Sequence, residues 1–177
     1  LLTTQLQALT SVQMGAMETV DVQALTTAQV ASLSSGNVQA LTTVQVGALT
    51  TTQLVALSTG NVGALSERQI VALTTAQSAA LTTGQIGALS SVQVRAFETS
   101  DLQALTTAQV VALTTAQASA LTTGQVQALS TAQVQALLTT QLQALTSVQV
   151  GAMETVDVQA LTTAQVAGLS SGKIGRA

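Results

Sequence analysis

The sequence predicts an all-α fold, a solenoid or superhelical rod with one short helix per eight-residue repeat. Three observations carry that prediction: an octapeptide recurs without insertion or deletion, its apolar and variable positions separate on a helical projection, and a helix-start signal falls at the same place in successive octads. The period is plain where Ala104-Leu105-Thr106-Thr107-Ala108-Gln109-Val110 runs into Val111-Ala112-Leu113. Residues 1–177 are read as a single array of about 22 octads, because the period is kept from Leu1 onward.

The positions are labelled a to h, with a on Leu1, Leu9, Met17 and Leu25. Position a is Leu except at Met17, Phe97 and Met153, position f is mostly Val, Ile or Leu, and position h is almost always Ala, as at Ala8, Ala64 and Ala136. These three are the expected buried positions. Position c is Ser or Thr apart from Glu67, and e is Gln apart from Asp21, Asp101, Asp157, Asn37, Asn61 and Lys173. Variation collects at d and g, which are expected to face solvent.

On a helix advancing about 100° per residue, d and g lie about 60° apart, as do f and the following a, and the two pairs occupy nearly opposite faces. On a strand each pair would be split between the two faces, so one buried side could not hold both Leu and Val. A helix running through many octads fails because eight residues advance it by about 800°, rotating the apolar stripe about 80° per repeat. The chain is therefore expected to turn between octads.

The start signal lies at b. Ser66-Glu67-Arg68-Gln69 and Thr26-Thr27-Ala28-Gln29 match a capping box, in which the first hydroxyl accepts from a backbone N–H three residues on and the Gln reaches back. Position b is then the N-cap, and c to a form about two turns. Helices this short persist only when packed against neighbouring octads. Gly36, Gly60, Gly84 and Gly87 fall inside the predicted helices, where each costs up to about 1 kcal/mol, and no Gly marks a stop. A β-solenoid, with Gly36-Asn37 and Gly60-Asn61 as corners, is the alternative.

Residues 1–36 and 137–172 are near-identical copies of a longer cassette, differing at Met14 against Val150 and at Ser32 against Gly168. A partial echo carries Ser91-Val92-Gln93-Val94 and Glu98-Thr99-Ser100-Asp101 into the stretch that begins at Ser147. Growth in whole octads preserves stacking register, which a length-setting spacer or filament requires.

Composition narrows the chemistry. Charged residues make up 6% of the chain and the formal net charge is −3, which supplies neither a nucleic-acid footprint nor a polybasic membrane anchor. Mean hydropathy is +0.50, yet apolar runs such as Val110 to Leu113 fall far short of the ~20 residues needed to span a bilayer. Without Cys there is no disulfide framework. Leu1 is not an initiator residue and no leader pattern is read there, so a segment of a longer repetitive chain is expected.

With no His, Cys, Tyr or Trp, acid–base work could fall only to seven carboxylates, and no enzyme, catalytic residue, cofactor, metal site or small-molecule substrate is expected. The pairs Glu18/Asp21, Glu98/Asp101 and Glu154/Asp157 could each offer two oxygen ligands to Ca²⁺, which takes six to eight; acidic residues in a first helical turn are the better account. The paired hydroxyls at b and c could form a flat array that orders water, as an ice-binding surface would. The favoured reading is that one caps and the other satisfies local backbone groups. Met14, Met17 and Met153 read as core filling.

The run Leu161-Thr162-Thr163-Ala164-Gln165-Val166 resembles the Thr/Gln-rich tandem repeats of very long bacterial secreted or surface proteins, some labelled adhesins or haem-utilisation proteins. The resemblance covers the whole chain and carries over no site residue. It implies an extracellular or cell-surface structural module, a spacer, stalk, filament or sheath component. Self-association, end to end or lateral, is expected because low charge density opposes it little.

Overall fold

The computed structural model describes residues 2–169. Among them, 21 helices of four to six residues begin at eight-residue intervals, from Thr3–Gln7 to Thr163–Gly168, and there is no strand. The β-solenoid alternative is set aside: Gly36-Asn37 and Gly60-Asn61 lie inside helices Ser35–Ala40 and Thr59–Gly63.

Each described helix follows an extended residue at b, and where that residue is Ser or Thr its hydroxyl caps as the repeat predicts. Thr42, extended at φ −70° and ψ 162°, accepts from the Gln45 N–H through its hydroxyl (3.2 Å) and donates its own N–H to Gln45 Oε1 (2.7 Å). The stop comes slightly earlier than expected, at g or h in most octads. Position a itself turns extended, as at Leu41 (φ −62°, ψ 135°), while its N–H closes the last turn onto Val38 O at 3.2 Å. No described residue has positive φ, so Leu ends these helices without the left-handed glycine cap.

The chain divides into two compact units, residues 1–89 and 90–177. Within each unit every helix packs against the helices three octads away, so three octads complete a turn and the helices stack in three rows. In the first unit one row is Ser11–Gly15, Ser35–Ala40, Thr59–Gly63 and Thr83–Ala88. In the second unit one row is Ser91–Ala96, Thr115–Ala120, Thr139–Ala144 and Thr163–Gly168.

Positions a and f form the core, as expected: Val46, Leu54 and Ile70 are fully buried, and Leu41 and Leu49 nearly so. The single aromatic residue, Phe97, takes an a position in that core. Burial of this apolar side is what keeps such short helices folded, since two turns cannot meet the cost of nucleation alone. Position d is exposed as expected, with Val12 at 81% and Val44 at 69%, while g ranges from half-buried to exposed.

Two positions depart from expectation. Ala at h is only half-buried at Ala64, Ala112 and Ala136, and the close approach of a neighbouring turn is to the h carbonyl. A Cβ on Gly47 would stand 3.0 Å from Ala72 O, and one on Gly63 3.0 Å from Ala88 O. At Gly47 and Gly63 the lack of a side chain leaves room for that approach, against a helix cost of up to about 1 kcal/mol each. The second departure is at e, which is buried.

Candidate functional site

Sequence reasoning gave the Gln at e a local capping role, and the folded chain gives the same side chain a second one. In the first unit, Gln69 is 2% exposed. Its Oε1 accepts from the Ser66 N–H (2.8 Å) while its Nε2 donates to Val38 O (2.9 Å) and Leu41 O (2.7 Å), respectively 31 and 28 residues earlier. Gln53 repeats this with Val22 O and Leu25 O, and Gln77 with Val46 O and Leu49 O.

The second unit carries the same clamp. Gln133 donates to Leu102 O (2.9 Å) and Leu105 O (2.7 Å), and Gln141 to Val110 O and Leu113 O. The carbonyl at a sits where the backbone has left the helix and finds no helical donor, so the amide of the next turn satisfies a group that burial would otherwise leave unpaired. Asn at e keeps the function at shorter reach: Asn61 Nδ2 donates to Leu33 O at 2.7 Å. Nothing in the octad's own periodicity signals a partner 28 residues away. The only available hint was the near-invariance of a residue as long as Gln at one position.

Asp at e breaks the ladder. Asp157 is 2% exposed, yet its carboxylate accepts from Thr131 Oγ1 (2.8 Å) and has no N–H to give. Among the described residues no donor reaches Leu129 O, the carbonyl 28 residues before it. The three acidic pairs lie where expected, with Asp21, Asp101 and Asp157 in the first turns of their helices. Glu18, Glu98 and Glu154 occupy the N-cap without a side-chain cap bond. Among the described residues no three of Asp, Glu, His and Cys come together as a metal-binding group. Met14 and Met153 fill the core, and Met17 is half-buried in the first turn.

The hydroxyls divide their roles differently from the favoured reading. Those at b cap, as in Thr42 and Ser66, but those at c point outward and do not bind local backbone groups. Among the described residues only Ser35 and Thr131 donate from c, each to the e side chain 26 residues later. The other c hydroxyls among the described residues stand free in the helix rows. Shallow depressions mark the surface. One, about 430 Å³, lies on the first turn between Leu9, Met17 and Leu25 and the side chains of Gln13, Asp21 and Gln29. Another, about 260 Å³, lies in the second unit beside Arg95, Thr122 and Thr146. No described helix is long and apolar enough to cross a membrane.

Comparison with known protein families finds the ALTTAQ repeat at residues 14–51, 36–67, 47–75, 54–91, 94–131 and 126–155. No curated protein and no solved structure matches the chain. The matched segments tile most of the sequence, each spanning several octads, and their shared motif is the a-b-c-d-e core of the octad preceded by the h Ala: small residue, core Leu, capping hydroxyl and clamping Gln. The chain is a tandem array belonging to the ALTTAQ repeat family.

Proposed function

We propose that the array is an extracellular structural spacer, a stalk or a self-assembling filament or sheath component whose length is set by octad number. The observation that carries this reading is the glutamine clamp, which repeats the same turn-to-turn contact octad after octad and so makes each octad an interchangeable increment. The resemblance to Thr/Gln-rich repeats of long bacterial surface proteins supports the location and an adhesin-like context. A mechanical role needs no catalytic group, nucleic-acid contact or small-molecule substrate, and none is assigned. Small-angle scattering of arrays lengthened or shortened by whole octads tests the proposal. The longest dimension should grow by a constant amount per octad; a dimension that does not follow octad number would refute it.

A second reading rests on the free c hydroxyls, which recur along each row of helices and offer evenly repeated donors and acceptors to water or to a regular solid surface. Such a module would bind ice or template a surface. Freezing-point measurements separate the two readings. An ice-binding array shows a gap between melting and freezing that Thr51→Val and Thr75→Val diminish, and a spacer shows none.

A further inference from the structure

The depression beside Arg95 is lined by hydrogen-bond donors. It lies within the second unit and is bounded by residues between Arg95 and Gln149, among them Thr122, Thr123, Thr146 and Val148. Arg95 is the one charged residue at a g position in the chain. Where g is Gln, the side chain can bind the next turn, as Gln143 does through Nε2 to Gly168 O, 25 residues on, at 3.0 Å. The matching residue for Arg95 is Ala120, also in the lining, yet among the described residues the guanidinium has neither a hydrogen bond nor a carboxylate partner. Thr122 and Thr146 are N-caps whose hydroxyl oxygens accept from the Gln125 N–H (3.1 Å) and the Gln149 N–H (3.2 Å), so each O–H remains to donate. The Thr123 hydroxyl, at c, is exposed and free. The Ser119 and Leu121 carbonyls are taken, since Gln149 Nε2 donates to both.

We propose that this depression binds an acidic saccharide, whose carboxylate pairs with the Arg95 guanidinium and whose ring oxygens accept from Thr122, Thr123 and Thr146. The planar guanidinium fork matches a carboxylate with two parallel N–H···O bonds, which a neutral side chain at g could not do. A peptide carboxylate would also bring backbone N–H donors, and the Ser119 and Leu121 carbonyls are already engaged. A sugar brings oxygens, which is what a lining of free donors requires. Val148, 69% exposed in the same lining, offers apolar surface to the C–H face of a pyranose ring. At about 260 Å³ the space falls just below the ~300–1,000 Å³ of sites that enclose drug-sized ligands, so it suits one sugar residue. General attraction does not account for such binding, because the chain carries a net charge of −3; recognition rests on the local guanidinium. The inference adds a binding activity to the spacer and does not depend on self-assembly.

Saturation-transfer NMR of the 177-residue chain with sodium glucuronate as the probe tests the site, with glucose and inorganic phosphate as competitors. Glucuronate should bind saturably, and glucose and phosphate should displace it only at concentrations about tenfold or more above its own dissociation constant. Arg95→Gln should weaken glucuronate binding about tenfold or more, the range expected for hydrogen bonds to a charged group. Thr123→Val, which removes an exposed hydroxyl with no capping role, should weaken it severalfold. Arg68→Gln removes the same charge from an exposed d position in the first unit and should leave binding unchanged. Helical circular dichroism should be the same in all variants. Absence of saturable binding, an Arg95→Gln chain that binds like the parent, or an equal loss in Arg68→Gln would each overturn the inference. Phosphate or glucose that competes as well as glucuronate would overturn it too, the first by showing an anion site without sugar recognition and the second by showing that the carboxylate is not recognised.

Discussion

The octads of Gln133 and Asp157, both in the second unit, bury their e side chains to the same 2% exposure and use them differently. Gln133 joins its own N-cap to the previous turn, with Oε1 on the Ser130 N–H at 2.8 Å and Nε2 on Leu105 O at 2.7 Å. Asp157 accepts from the Thr131 hydroxyl, and among the described residues no donor reaches Leu129 O. Burial at e is thus imposed by the coil, while cohesion between turns depends on whether the buried group can donate. The Asp octad also has Glu154 in place of the capping hydroxyl, so both halves of the Gln device change together.

The largest effect is expected from Gln133→Glu, which removes the donor and aims a carboxylate at carbonyl oxygens. An uncompensated buried charge costs about 3–5 kcal/mol, and denaturant unfolding followed by far-UV circular dichroism should show a loss of that order. A smaller loss should follow Gln133→Leu, which leaves the buried Leu105 carbonyl without its donor and adds no charge, at about 1–3 kcal/mol; the Ser130 N–H lies at an exposed N-cap and turns to water. If both variants melted like the parent, the clamp would contribute nothing to cohesion.

The reverse substitution sharpens the comparison. Asp157→Gln restores a donor for Leu129 O and should stabilise the array by about 1 kcal/mol, read as slower hydrogen exchange in helices Thr123–Ala128 and Thr155–Ala160. Ser130→Ala removes only the hydroxyl cap and should cost about 1 kcal/mol, visible as a lowered denaturation midpoint. Ala64→Leu is expected to do least, within about 0.5 kcal/mol as for other partly exposed surface positions, because the Ala64 side chain is half-buried. A loss of several kcal/mol there would return h to the core.

Much of this architecture is legible in the octad. Helix and boundary follow from local rules: hydroxyl at b with Gln at e is a capping box, and only a helical projection places Leu at a and Val at f on one side away from d and g. The number of octads per turn is not legible, because it is fixed by which carbonyl meets which amide 28 residues later, and a single repeat carries no information on that separation. The second role of position e is hidden for the same reason: a polar amide looks fully employed once it caps. At h a small side chain suggests burial, whereas Gly47 and Ala72 show the close contact running through backbone. The Asp of each acidic pair lies in a first turn as expected and the Glu at the N-cap before it, but the burial of Asp157 follows from the turn that covers it.

Three octads make one turn, joined by the buried glutamines at e. The absence of Cys allows spin labels to be placed at chosen pairs of exposed c positions by cysteine substitution. Thr51 and Thr75 lie on helices three octads apart that pack directly, while Thr51 and Thr83 lie four octads apart on different rows. With packed helices about 8–10 Å between axes, the Thr51→Cys/Thr75→Cys pair should show strong dipolar broadening in its electron paramagnetic resonance spectrum and the Thr51→Cys/Thr83→Cys pair much less. Stronger broadening in the four-octad pair, or none in either, would contradict the three-octad turn and the glutamine ladder built on it.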